Sequence, residues 1–363
     1  MRWEEKVAFL RQPRIYSDGS RRVRVIETHY AWVFLTRRHA YKLKKPLRQN
    51  EMDYRTLAAR ERGCRAELEL NRRLAPDVYL AVVPLTVRNG ELQLNGRGRV
   101  VDYLVQMRRL PAEAMLDRVL QRRALTAGEC RQLIAKLETF FTSARRVPLS
   151  GERYVERTLV LVRDNERALC TADRSFEALS REVTELQRML IGRMRKAIAR
   201  RGRELIDGHG DLRAEHVHLG PPVNVIDCLE FDSELRRLDP LEDAALLILE
   251  VERLGRTRLA GQLGRSVARL VPHEVAGPLL HFYLSRRATT RAKLSAWHLG
   301  DPQFPDPKPW IARTHSYLQD AKRHARRALT LLHADGKRIR SVGSRSAASR
   351  HQPSTIAIRN AVS

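Results

Sequence analysis

Short apolar runs with period-two alternation crowd into the first third of the chain. VRVIET (23–28) and WVFLT (32–36) are rich in β-branched and aromatic residues, and HAYKLK (39–44) alternates strictly, so three strands are predicted. VYLAVVPLTV (78–87), Asn89-Gly90 and ELQL (91–94) predict a hairpin closed by a primed turn. RVVDYLVQM (99–107) is a further strand. Between them, residues 54–74 end in AELELNRRLAP and read as a helix stopped at Pro76.

From about 111 onward the period changes to that of helices. Thr126 and Glu129 form a capping-box pattern ahead of Leu133, Leu137 and Phe140. Leu179, Val183, Leu186 and Leu190 place a long helix over 176–204, and further helices are predicted over 240–272, 276–298 and 311–334. A small β-rich part followed by a larger α-rich part is an α+β arrangement. It divides into a lobe over 1–107, a second lobe over 108–335 and a tail over 336–363. That tail is rich in Ser, Lys and Arg, lacks acids and has no periodicity, so it is expected to be disordered.

Charge narrows the partners. The 363 residues carry 68 Lys+Arg against 42 Asp+Glu, a net charge of +26. Such a field favours an anionic partner and slows the approach of a polycation. The chain shows neither an 18-residue apolar run nor a signal-peptide core, so no membrane insertion is expected. Cys64, Cys130, Cys170 and Cys228 are scattered without CxxC spacing, which points to a reducing cytoplasm and signals no zinc site.

The segment GHGDLRAEHVHL (208–219) with VNVIDCLEFD (223–232) carries the chemistry. VNVID reads as a buried strand delivering Asp227 into a cleft, and VHLGPPV reads as a hairpin that returns it towards Asp211. Two convergent carboxylates suit a magnesium–nucleotide site, one engaging a substrate hydroxyl and the other the metal.

HGDL with a downstream IDxxE resembles the catalytic loop and metal-binding aspartate of aminoglycoside phosphotransferases, which share a bilobal protein-kinase-like fold with choline and homoserine kinases. The likeness covers about 22–300. It is closest to an uncharacterised bacterial subgroup with ETHYAWVFL (27–35), AYKLKKP (40–46), ELELNRRLAP (67–76) and HGDLRAEH (209–216) as they stand here. Some members add a P-loop ATPase half, for which this chain lacks a GxxxxGK[ST]. The resemblance implies an ATP- or GTP-dependent kinase acting on a hydroxyl of a small molecule. Lys42 would contact the nucleotide phosphates and Glu67 would pair with it, with Glu69 as the alternative. Gln106 and Met107 would lie beside the base, and backbone donors from Thr28 to Ala31 would cover the phosphates. Asp211 would orient the acceptor hydroxyl, supported by His209. Asp227 would bind Mg²⁺. Asp239 matches either an aspartate that follows the metal site or a helix N-cap.

Two departures stand out. His216 occupies a position where the family usually has a magnesium-binding Asn, which leaves three outcomes, Asp227 carrying the metal with waters, tolerance of Mn²⁺, or weak catalysis, and a packed loop histidine as the alternative role. The phosphate-covering loop has no GxGxxG. Both leave open a pseudokinase-type nucleotide-binding regulator. Nucleic-acid binding is the weaker alternative. The basic run over 188–203 and the basic tail favour it, but no aromatic residues interleave with these runs and no helix-turn-helix or zinc-finger spacing appears.

Overall fold

The computed structural model describes residues 2–49, 52–301 and 304–348. Helix α1 (Trp3–Leu10) precedes strands β1 (Arg24–Glu27), β2 (Ala31–Leu35) and β3 (His39–Lys44), and a short ribbon of β4 (Arg48–Gln49) and β5 (Met52–Asp53). Helix α2 (Leu57–Arg72) is followed by β6 (Tyr79–Arg88), β7 (Glu91–Leu94) and β8 (Arg99–Arg108). The strands form one antiparallel sheet in the order β1-β2-β3-β8-β6-β7. The β6–β7 turn is the predicted hairpin. Asn89 and Gly90 both have positive φ, 52° and 83°, as a primed turn requires.

Alternation sorts the sheet residues onto two faces. Phe34, Leu43, Leu85 and Leu104 pack with Leu10 of α1 on one face. Val105 and Tyr79 pack with Cys64 of α2 and with Ala75 on the other. Register pairs Lys42 with Val105, so Lys42 lies on the face that α2 covers.

The remaining elements are α3 (Leu116–Arg122), α4 (Ala127–Ser143), α5 (Gly151–Ala172), α6 (Glu177–Arg193) and α7 (Arg195–Arg201). They continue with β9 (Ile206–Asp207), β10 (Val217–His218), β11 (Asn224–Val225), α8 (Ser233–Arg236), β12 (Arg237–Leu238), α9 (Pro240–Arg253), α10 (Thr257–Ala268), α11 (His273–Ala296) and α12 (Lys308–Ala348). Thr126 caps α4, with Glu129 closing the capping box. The helix expected over 176–204 is divided at Met194, and that expected over 240–272 is divided at Gly255, whose φ of +75° ends α9. Helix α12 runs on to Ala348, into the segment expected to be a disordered tail. The rest of that segment, 349–363, lies outside the described residues.

Two compact units emerge. The first comprises Met1–Leu161 and Met194–Val271, and the second Val162–Arg193 and Pro272–Ser363. Within the second, α11 packs along α12. Phe282, Ala288 and Ala292 are buried on α11, and Ala321, Ala325 and Ala328 on α12. Gln187 of α6 donates to Ser285 and Thr289 of α11. Among the described residues, no helix is long and apolar enough to cross a membrane.

Candidate active site

All the residues of the predicted site fall in the first unit. Its centre is an ion network. Lys42 Nζ donates to Glu67 Oε1 at 2.9 Å and to Asp227 Oδ1 at 2.7 Å. Lys44, two residues along β3 on the same face, donates to the other Glu67 oxygen at 2.6 Å and to Glu230. Tyr54 donates its hydroxyl to Glu230 at 2.8 Å. Glu67 is fully buried whereas Glu69 is exposed, which separates the two candidates on α2. Burial opposes the charge on Lys42, but Asp227 and Glu67 outweigh it and push the ammonium well above its usual range. Burial likewise opposes ionisation of Asp227 and is overcome by Lys42 and then His216, which hold the carboxyl well below its usual range. The Asp227 side chain is nevertheless 47% exposed, so its charge is reachable.

Backbone contacts fix the loop that carries Asp227. Its N–H donates to the Tyr79 hydroxyl at 3.1 Å, and the next N–H, of Cys228, donates to Asn71 Oδ1 at 2.9 Å. Strands β10 and β11 pair antiparallel, as the hairpin reading expects, and Ile226 N–H reaches the His216 carbonyl at 2.9 Å. The hairpin thereby sets His216 between the two aspartates. Its Nδ1 lies 3.9 Å from Asp211 Oδ2 and its Nε2 lies 3.7 Å from Asp227 Oδ2.

The His216 tautomer follows from its neighbour. Nδ1 is 2.8 Å from the Asp211 carbonyl, which can only accept, so Nδ1–H donates and Nε2 faces Asp227. Nε2 and Asp227 Oδ2, 3.7 Å apart, are the side-chain atoms here that could hold one divalent cation, with water and phosphate oxygens completing its shell. Among the described residues, no group of three or more His, Cys, Asp or Glu side chains is arranged to hold a metal ion. A cation here would depend on such added ligands.

His209 takes a different place. It is fully buried, donates from Nε2 to the Ile226 carbonyl at 3.0 Å, and accepts the Asp211 N–H on Nδ1 at 3.3 Å. Burial pulls its pKa down to about 4, so the ring is neutral near pH 7 and its two nitrogens are committed to the backbone. It braces the loop, and its ring has no route to a substrate proton. Asp239 caps α9 through the Leu241 N–H and pairs with Arg201, so the N-cap alternative is the one realised.

Thr28 departs from the sequence reading. Its N–H and hydroxyl both donate to the Ala31 carbonyl, and the Ala31 N–H returns to Thr28 Oγ1. The side chain of a Thr is short enough to close its own turn, and closing it uses the Thr28 and Ala31 donors of the 28–31 set. Gln106 donates to the Tyr41 hydroxyl at 3.2 Å on the sheet face opposite Lys42, so only its backbone could serve a ligand beside Lys42. Met107 lies on the Lys42 face and packs against the Val105 cluster.

The sequence reading gave no role to three contributors. Asp243 accepts the N–H groups of His209 at 2.7 Å and Gly210 at 3.0 Å, fixing the start of the loop that bears Asp211. Arg73 donates to the Asp207 and Gly208 carbonyls just before it. Glu230 closes the Lys44 side of the network. An acid on the buried face of α9, in PLEDAALL, was the available signal for Asp243.

No family model matches the chain. Uncharacterized proteins of Mycobacterium bovis and Mycobacterium tuberculosis are 31% identical to it over 313 residues, covering 83% of this chain and 58% of each relative. The chain thus spans little more than half the length of these curated relatives. Among solved structures, a choline/ethanolamine kinase family protein from Mesorhizobium loti aligns with a TM-score of 0.57 at 14% identity, over 91% of this chain and 98% of that one. A choline kinase from Cryptosporidium parvum gives 0.51 at 12% identity, over 91% and 98%. An aminoglycoside phosphotransferase in complex with GDP and kanamycin gives 0.52 at 12% identity, over 88% and 99%. The chain has the bilobal, α+β protein-kinase-like fold of these structures, the fold that the sequence motifs imply.

Proposed function

We propose that the chain is an ATP- or GTP-dependent phosphotransferase acting on the hydroxyl of a small molecule. The observation that carries this reading is that one half-buried ammonium, Lys42, touches both Glu67 and the accessible Asp227. Lys42 neutralises the nucleotide phosphates. Asp227 and His216 would hold Mg²⁺ or Mn²⁺, which would offset the charge on the transferring phosphoryl group. Asp211 aligns the acceptor hydroxyl and takes its proton as the oxygen attacks the γ-phosphorus and the nucleoside diphosphate leaves. Positioning and electrostatics supply most of the rate. The net charge of +26 favours a neutral or anionic acceptor over a cationic aminoglycoside.

The test measures nucleotide binding by thermal shift with ATP or GTP plus Mg²⁺ or Mn²⁺, then phosphate transfer to candidate alcohols. Asp211→Ala should abolish transfer and leave nucleotide affinity nearly intact. Absence of any nucleotide effect on the wild-type chain would overturn the proposal.

A second reading, a nucleotide-binding regulator with little turnover, is favoured by the 28–31 turn, which spends the Thr28 and Ala31 donors internally. Nucleotide binding without transfer to any alcohol, or hydrolysis, would select it.

A further inference from the structure

A second cationic feature lies on the sheet face away from Lys42. Arg38, His39, Arg108 and Arg109 line a pocket of about 400 Å³ together with Leu80. Register makes it a fixed feature. His39 pairs with Arg108 across the central strands β3 and β8, and Arg109 N–H donates to the Arg38 carbonyl at 2.9 Å. His39 shares a face with Tyr41 and hence lies opposite Lys42.

Two of the guanidinium groups, those of Arg108 and Arg109, are held by backbone carbonyls. Arg109 Nη1 donates to the Thr36 carbonyl at 2.6 Å, and Arg108 Nε donates to the Asp77 carbonyl at 3.1 Å. Among the described residues, no carboxylate pairs with the side chain of Arg38, Arg108 or Arg109. Elsewhere exposed arginines commonly close on an acid, as Arg65 does on Glu61, Arg123 on Glu129 and Arg146 on Glu204. Asp77 meets Arg108 through its backbone carbonyl, and Asp18, the acid beside His39, is occupied. It accepts from Ser20, from the Thr36 hydroxyl and from the Arg38 N–H, and lies 3.5 Å from His39.

Arginine presents paired N–H donors that match two oxygens of one phosphate. Arginines oriented by carbonyls keep their charge and their remaining donors for a ligand. The volume falls within the range of small-molecule sites and exceeds the needs of a lone simple ion. We infer that this pocket binds a phosphate group, free or carried as the monoester of a small molecule, separately from the Lys42 site. The inference does not depend on the proposed catalytic activity.

The experiment titrates the full chain with inorganic phosphate, glycerol phosphate and a short duplex DNA by calorimetry. Phosphate-containing probes should bind the wild-type chain, and tighter binding of the monoester would name it as the source over free phosphate. Binding should persist in Lys42→Met. Arg38→Gln and Arg108→Gln should each weaken it about tenfold, and Arg108→Lys should weaken it too because the paired donors are lost. Both arginines are exposed, and circular dichroism confirms folding of each variant. Affinity for ATP with metal should stay unchanged in all three. Arg203→Gln, an exposed arginine elsewhere, should have no effect. The inference is overturned if phosphate probes do not bind, if Lys42→Met abolishes their binding, if Arg203→Gln weakens it equally, or if only the duplex binds.

Discussion

Lys42 and Asp227 stand 185 positions apart in the chain and meet at 2.7 Å. The contact joins the sheet to the β10–β11 hairpin segment, so the site is assembled only when both are folded. Each partner also raises the charge stability of the other, because Lys42 favours ionised Asp227 and Asp227 favours charged Lys42.

Lys42→Met should weaken binding of nucleotide with metal by more than about tenfold, measured by calorimetry. The fold should survive, because Lys44 continues to neutralise Glu67. Unchanged nucleotide affinity would remove Lys42 from the phosphate site.

Asp243→Ala strips the acceptor from two buried backbone N–H groups, those of His209 and Gly210. A loss of about 2–4 kcal/mol in unfolding free energy is expected, at the upper range for buried hydrogen bonds to a charge. Chemical denaturation reads it directly, and a change below about 0.5 kcal/mol would contradict the bracing role.

Stability should depend on pH through His209. Its folded-state pKa is lowered from 6.5 to about 4, with burial as the leading cause. The unfolded chain therefore binds the extra proton first as pH falls. The contribution is complete above pH 6.5 and is lost as pH falls towards 4, amounting to about 3 kcal/mol. In His209→Gln, denaturation profiles should lose this part of the slope between those two values. An identical slope in the variant would place the titration elsewhere.

His216→Asn exchanges a nitrogen ligand for an oxygen ligand beside Asp227. Magnesium prefers oxygen, so nucleotide affinity with Mg²⁺ should rise several-fold relative to Mn²⁺. Titration of each metal in the presence of a fixed nucleotide checks the ratio. No change in the ratio would exclude His216 from the metal shell.

Much of the fold was legible because its signals are local. Strict alternation gave HAYKLK its strand, and the same alternation put Lys42 and Lys44 on one face. An apolar run ending in an acid located Asp227. Long-range arrangements were harder to read. Asp243 follows a proline near a helix start, where acids commonly balance the helix dipole, so its place on the apolar face of PLEDAALL was the one local sign and did not name its reach to the loop of Asp211. Thr28 looked like a phosphate contact because a sequence shows that a donor exists and not that its own turn uses it. The breaks at Met194 and Gly255 interrupt patterns whose apolar period continues across them.

Asp227 sits with a φ of +62°. Few residues with side chains accept that backbone, Asn and Asp most readily among them. Of the two acids, aspartate alone brings an anion to this point at low cost, because glutamate would meet the conformational penalty as well as a misplaced carboxylate. The position therefore selects its residue twice, once by charge and once by handedness. Asp227→Asn separates the two requirements: it keeps the backbone and nearly the shape while deleting the charge, so it isolates the electrostatic part of the site.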